Sequence, residues 1–228
     1  MNMPLNTTAD TSDPIVHARY NLIQQQIRTW NVASDAVLET LEQVHREDFV
    51  PAAYRNLAFV DMEIPLGGGQ CMLKPLVEAR LLQEVNAQKH ERVLEIGTGS
   101  GYMAALLAYN AGQVVSLEIS PALAQMARAN LERAGITNVT VHQADGAQAG
   151  IPDGPFDAIV LSGSVAEVPA HLLAQLNDGG RLVAIVGQEP QMRVTVVRKT
   201  GDRFDATFPW DVNAPRLSGF GEPSGFKF

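Results

Sequence analysis

Val93-Leu94-Glu95-Ile96-Gly97-Thr98-Gly99-Ser100-Gly101-Tyr102 is the stretch that decides how this chain is read. A short apolar run enters three glycines set one residue apart, and Tyr102 opens an apolar helical stretch at once. A strand turning so tightly into a helix marks the first unit of an open α/β sheet, whose ligand sits beyond the carboxyl ends of the strands. Glycine has no Cβ, so the backbone of such a turn can touch what it binds.

Moving toward the C-terminus, the strand–helix rhythm repeats. Residues 92–96 read as a strand, 102–108 as a helix and 114–117 as the next strand. Ser120 and Pro121 cap and open a helix with the stripe Leu123, Ala127, Leu131 and Ala134, and Gly135 stops it. Residues 139–142 and 156–161 are the third and fourth strands. Residues 169–176 read as a helix ended by Gly179-Gly180, and 181–186 as the fifth strand. This alternation predicts a Rossmann-like, doubly wound α/β fold: a mostly parallel sheet, helices on both faces, right-handed crossovers. Residues 192–198 and 206–210, joined through Thr200-Gly201-Asp202, predict a C-terminal antiparallel hairpin.

Toward the N-terminus the pattern is helical. Residues 1–13 are polar and read as a flexible tail. Leu22, Ile23, Ile27 and Trp30 recur at three-to-four spacing until Asn31, with the tryptophans Trp30 and Trp210 expected in the core. Ser34 or Asp35 caps a second helix buried through Val37, Leu38, Leu41 and Val44, and Pro51 opens a short helical turn over 51–58. Gly67-Gly68-Gly69 reads equally as a flexible connector or as backbone that approaches a ligand closely. Pro75 then starts a helix with Val77, Leu81 and Val85 on one side. The division expected is a tail (1–13), an N-terminal helical and acceptor-side segment (14–90) and a cofactor-binding domain (91–228), the last two forming one unit.

The formal charge of -8 comes from 25 acids against 17 Lys and Arg, a surface that repels phosphate backbones. No nucleic-acid partner is expected, nor a membrane, because no apolar run approaches the ~20 residues that span a bilayer. One cysteine, Cys71, and a start without the basic-then-apolar order of a secretion signal indicate a reducing, cytoplasmic setting.

Two cofactors compete for the glycine turn. Gly99-Ser100-Gly101-Tyr102-Met103-Ala104 satisfies G-x-G-x-x-A, which cradles a dinucleotide pyrophosphate. Glu95 would repel that diphosphate at short range, whereas the sulfonium and ammonium of S-adenosyl-L-methionine suit a nearby carboxylate. Glu118, beside Ile119, ends the second strand about 20 residues past the glycines, where an acid takes hydrogen bonds from ribose hydroxyls. Asp145-Gly146 follow the third strand, and a carboxylate there can accept from the adenine amine.

With these residues in view, the chain resembles the protein-L-isoaspartate O-methyltransferase family of class I methyltransferases, over about 21–187. The likeness rests on Gln25-Gln26-Ile27-Arg28, Val44-His45-Arg46-Glu47-Asp48-Phe49-Val50-Pro51 and Ile64-Pro65-Leu66-Gly67-Gly68-Gly69-Gln70. It continues through the glycine turn, through Phe156-Asp157-Ala158-Ile159-Val160-Leu161, and through Leu173 to Val183. The resemblance implies S-adenosyl-L-methionine as cofactor, an isoaspartyl protein or peptide as acceptor, and a role in protein repair. It also implies that Glu95, Gly97, Thr98, Gly99, Ser100 and Gly101 surround the methionine portion. Glu118 and Ile119 would then serve ribose, Asp145 and Gly146 would bracket adenine, and Leu161 and Ser162 would face the cleft. Gly69, Gln70, Cys71, Met72 and Leu73 would border the acceptor.

The resemblance departs at Cys71-Met72-Leu73, where the family usually carries Thr-Ile-Ser. Leucine donates no hydrogen bond and a thiol only a weak one, which opens a second reading: a methyltransferase for a small phenolic or other metabolite. A non-catalytic S-adenosylmethionine-binding module is a third reading, and an NAD-dependent dehydrogenase a fourth. No catalytic residue is assigned, because a carboxylate acceptor is ionised at neutral pH and needs no base. His17, His45, His90, His142 and His171 read as surface or structural residues, and Cys71 as a cleft-lining or buried thiol. No metal site is expected, since one cysteine and unpaired histidines lack ligand spacing.

Overall fold

The computed structural model describes residues 13–148 and 150–221. The expected tail lies outside them except for Asp13, whose carboxylate caps the first helix by accepting from the Ile15 amide at 2.8 Å. That helix, α1 (Pro14–Asn21), continues into a π-helical stretch, Leu22–Ile27, and a 3₁₀ turn, Arg28–Trp30. Asn31, in the left-handed region at φ 65°, ends it as expected. Leu22, Ile23 and Ile27 are buried, but Trp30 is 63% exposed, which corrects its core assignment. Seven residues make nearly two turns of α-helix and fewer of the wider π winding, so Trp30 rotates off the face that Ile23 occupies. Trp210 is half-buried against the core, with the Arg80 guanidinium 3.9 Å from its ring centroid.

Ser34 caps α2 (Asp35–Gln43), and all four expected apolar positions of its stripe are buried. Two further 3₁₀ turns follow, Arg46–Asp48 and Ala52–Leu57. The glycine cluster is neither a connector nor loose: Ile64–Gly67 (β1) and Gln70–Met72 (β2) form an antiparallel hairpin around it. Gly67, Gly68 and Gly69 all have positive φ, from 59° to 94°, a run that only glycine adopts without strain. β2 leads directly into α3 (Pro75–Val85).

Among the described residues the main sheet has seven strands: β3 (Arg92–Ile96), β4 (Gln113–Glu118), β5 (Val139–Gln143), β6 (Phe156–Val165), β7 (Leu176–Gln188), β8 (Gln191–Thr200) and β9 (Arg203–Asp211). Their order is β5-β4-β3-β6-β7-β8-β9, parallel through β7 and antiparallel for the last two. The chain winds outward from β3 in both directions, so the carboxyl end of β3 lies at the switch point where open sheets leave a crevice.

One face of the sheet is covered by α3, α4 (Tyr102–Asn110) and α5 (Pro121–Arg133), packed with the N-terminal helices into one apolar cluster. The opposite face holds Leu94, Ile96, Leu117, Ile159 and Leu161, and among the described residues its helical cover is only α6 (Ala170–Leu173). The helix expected over 169–176 is thus one turn long. Phe156 donates to the Gln175 carbonyl and pairs with Leu176, which draws the chain into β7 early and leaves Gly179-Gly180 inside a strand. Ala134 is exposed as the C-cap of α5, not part of its buried stripe. Leu217 and Phe220, from the segment after β9, complete the thin face.

Candidate active site

The turn after β3 has the shape its glycines promised. Gly97, Gly99 and Gly101 have φ of 91°, 55° and 89°. The Gly97 amide donates to the Leu117 carbonyl at 2.8 Å, continuing the β3–β4 ladder, and the Gly101 amide closes onto Thr98 at 2.8 Å. A Cβ on Gly101 would stand 3.3 Å from the Ala127 backbone, so the last glycine lets the start of α4 lie against α5. Thr98 and Ser100 are buried: the Thr98 hydroxyl lies 2.6 Å from that of Ser116, and the Ser100 carbonyl accepts from the Asn130 amide at 2.9 Å.

Glu95 is completely buried. One carboxylate oxygen accepts from the Ser116 hydroxyl at 2.6 Å and the other from the Ser162 hydroxyl at 2.8 Å. Burial pushes its pKa up to about 7, against the two hydroxyl donors and assisted by the nearby charges of Glu118 and Glu78. Such an acid, half ionised near neutrality, releases its proton when a cation comes to rest against it.

Glu118 grips the turn itself, accepting from the Gly99 amide at 2.8 Å and the Ser120 amide at 2.9 Å. Each carboxylate oxygen keeps a second lone pair for an incoming hydroxyl. Ile119, partly exposed, lines one cavity with Glu118, Ile96, Gly97, Ala144 and Gly146. Gly146 is held from behind by a 3.0 Å hydrogen bond between His171 Nε2 and its carbonyl. The Asp145 carboxylate caps its own turn, accepting from the Ala147 amide at 2.9 Å, lies against Gly219, and keeps a lone pair on each oxygen. Leu161 lines neither cavity: it is fully buried in the core of the thin face, while Ser162, the next residue along β6 and so on the opposite face, reaches the cavity of Glu95.

Cys71, Met72 and Leu73 line a second cavity together with Glu95, Gly97, Thr98, Gly99, Ser100 and Ser162. Gln70 reaches the first cavity, where its amide donates to the Ser218 hydroxyl at 2.9 Å. Gly69 stands exposed at the hairpin tip and lines neither. The Cys71 thiol is pushed up to about 11 by burial and by the charges of Glu63 and Glu78, which makes it an apolar lining group and no nucleophile. None of the five histidines lines either cavity, and among the described residues no cluster of metal-ligating side chains comes together.

Glu78 is the residue the sequence pattern did not disclose. It lies buried on α3, lines the second cavity and pairs with buried Arg46. Arg46 also donates to the Leu73 carbonyl at 2.7 Å and places its guanidinium 5.1 Å from the Tyr102 ring centroid. One arginine therefore ties the backbone of Leu73 to the first residue after the glycine turn.

The side chains present suit a sulfonium nucleoside: a dry carboxylate at one end of β3, an acid holding the turn, and apolar Ile96, Leu117 and Ile119 for a flat ring. Switch-point geometry and this donor set define a class I, S-adenosylmethionine-dependent methyltransferase. Comparison with known proteins makes the assignment specific. The family model for protein-L-isoaspartate(D-aspartate) O-methyltransferase matches residues 17–208, and this chain belongs to that family. It is 42% identical over 191 residues to the protein-L-isoaspartate O-methyltransferase of Methanoculleus marisnigri, covering 83% of this chain and 87% of the relative. The Klebsiella pneumoniae protein of the same name is 37% identical over 190 residues, covering 83% and 91%. A solved protein-L-isoaspartate O-methyltransferase superposes with a TM-score of 0.75 at 27% identity, over 88% of this chain and 66% of that one. A Plasmodium falciparum structure, described as a complex with S-adenosyl-L-homocysteine, shares the fold at a TM-score of 0.74 and 21% identity. The chain is an O-methyltransferase, which sets aside the dehydrogenase and non-catalytic readings.

Proposed function

We propose that this enzyme methylates the free carboxylate of isoaspartyl residues in proteins or peptides. The observation that supports the reading is that Cys71, Met72 and Leu73 line the same cavity as Glu95 and Gly97. The family match and the names of relatives near 40% identity support the acceptor over a small metabolite.

S-adenosyl-L-methionine supplies an electrophilic methyl group on a sulfonium centre. The chain's part is placement. Glu95 offers its buried carboxylate to the cationic end, and Ser116 and Ser162 hold that carboxylate in one orientation. Glu118 fixes the turn by its two backbone contacts while leaving lone pairs toward the ribose. Leu66, Met72 and Leu73, all buried, keep water from the acceptor side, and Arg46 fixes the backbone at Leu73. An acceptor carboxylate with a pKa near ~4 arrives ionised, so alignment and dehydration replace a general base.

Among the described residues no arginine lines the cavity, and neither Met72 nor Leu73 brings a hydroxyl. Acceptor recognition then falls to backbone N–H groups, since the Ser162 hydroxyl is donated to Glu95 and the Thr98 hydroxyl to Ser116. The test is transfer of labelled methyl to an isoaspartyl peptide beside its normal aspartyl isomer. Base-labile label on the isoaspartyl peptide alone is the expected result, and equal or absent labelling of both would reject this acceptor. A reducing, cytoplasmic setting belongs to the same proposal and rests on the single cysteine.

A further inference from the structure

After β9 the chain turns back over the sheet and crosses the mouth of the cofactor cleft. The Ser164 amide donates to the Pro215 carbonyl at 2.8 Å and the Leu217 amide to Ser164 at 2.9 Å, so this strap runs beside the end of β6. Arg216 fastens it to the Gly187 carbonyl at 2.9 Å. Leu217 is buried at 8% exposure among the apolar residues of the thin face. The family match ends at residue 208, and the strap lies beyond it.

The strap meets each element assigned to the cofactor. Leu217 Cδ2 lies 2.6 Å from where a Cβ on Gly97 would be, so the leucine rests on the bare backbone of the turn. It lies equally close over Gly163, beside Ser162. Gly219 sits against the Asp145 carboxylate, and Ser218 takes the hydrogen bond from Gln70 of the glycine hairpin. Leu217 and Ser218 line the cavity of Glu118 and Gly146, and that cavity and its neighbour across Gly97 are each about 20 Å³. A space of that size holds about one water molecule.

We propose that the strap is a gate, with Leu217 as its bolt: seated on Gly97 it closes the cleft, and cofactor binding requires it to lift. The proposal rests on the cofactor occupying the Gly97 turn. The seated state stores no strain, since Leu217 exchanges water for apolar neighbours, and the open state is the minor one. Apparent affinity is then lowered by the fraction of molecules that are open; a gate open a tenth of the time weakens binding about tenfold.

The test titrates S-adenosyl-L-homocysteine by calorimetry into the full chain, into Leu217→Ala, and into a chain ending at Asn213. Hydrogen exchange of residues 214–221 in the unaltered protein is followed with and without the same ligand. A gate predicts about threefold to tenfold tighter binding by both variants, and faster exchange of the strap when ligand is bound. Ser218→Ala, which removes only the Gln70 latch, serves where the shortened chain does not fold, and tightens binding in the same direction. Unchanged or weaker binding by the variants, or slower exchange with ligand, overturns the gate and makes the strap a roof. Failure of all the folded forms to bind removes the cofactor from the Gly97 turn, a different failure from a full chain that binds as tightly as its variants.

Discussion

Ser162 donates its hydroxyl to Glu95 at 2.8 Å, joining the bulge of β6 to the end of β3 directly under the glycine turn. With Ser116 on the other oxygen, the acid is held by two neutral donors and no cation, and its pKa sits at about 7. A cationic methyl donor binds the ionised form, so below pH 7 binding must expel a proton, and affinity falls by up to about tenfold per pH unit. Dissociation constants for S-adenosylmethionine between pH 6 and 8.5 should show that step. Glu78 titrates in the same range, so the assignment rests on Glu95→Gln, which should bind weakly at every pH and flatten the step. Ser162→Ala removes a donor to the charged form, should move the step upward, and should weaken binding at pH 7 by about tenfold.

Gly97→Ala tests the turn. Its φ of 91° is a conformation L-residues adopt at a cost of about 1–3 kcal/mol, and the new methyl would overlap Leu217 Cδ2. Urea unfolding should register that loss, with cofactor binding weakened more than tenfold. Adding Leu217→Ala relieves the overlap and leaves the backbone strain, so the double variant should regain stability only in part. Full recovery would show that the glycine is needed for space and not for its dihedral angle.

The glycine turn was legible because its signals are local: Gly97, Gly99 and Gly101 show their reason within five residues, and Glu95 and Glu118 stand at strand ends that apolar spacing marks. Glu78 was not, because an acid between Val77 and Ala79 reads as solvated until Arg46, 32 residues earlier, is seen to neutralise it. Trp30 was misplaced because three-to-four spacing presumes α-helical winding, and the π stretch breaks that presumption. Asp145 follows β5, and that one of its carboxylate oxygens also caps the turn is a detail that spacing does not encode. Leu217 is a lone leucine between Arg216 and Ser218, with no periodicity to mark it.

Arg46 and Glu78 should behave as a buried pair whose halves are unequal in removal. Arg46→Ala leaves Glu78 buried without a counter-charge, at a cost of about 3–5 kcal/mol, or roughly 10 °C in a chain of this size. Glu78→Gln keeps a hydrogen-bond acceptor but leaves the buried Arg46 guanidinium, which cannot shed its proton, without a counter-charge. It should cost more than the loss of Arg46, since Glu78 can take up a proton. Burial lifts Glu78 from its usual 4.5 to about 7 despite Arg46. The folded protein therefore holds a proton that the unfolded chain has released between those values. That contribution to stability is complete below pH 4.5 and lost as pH rises through 7. Melting curves from pH 5 to 8 should show a decline that shrinks in Glu78→Gln.

Cys71 offers a sharp check on the acceptor side, because its position and its chemistry point to different roles. It lines the cavity beside Glu95 and could be mistaken for a nucleophile. Its pKa of about 11, set first by burial and then by Glu63 and Glu78, leaves about one thiolate in a thousand at pH 8. Alkylation by iodoacetamide at that pH should run a few hundredfold slower, roughly 250-fold, than for a free cysteine, whose thiolate fraction is near a quarter. Glu63→Gln removes one raising charge and the 3.9 Å Sγ contact, and should speed the reaction severalfold. Cys71→Ala should then keep most of its methyl transfer, since in-line displacement onto a carboxylate asks for alignment and not for a thiolate. Rapid alkylation of the unaltered protein, together with loss of turnover in Cys71→Ala, would reverse the assignment and make the thiol a participant in the reaction.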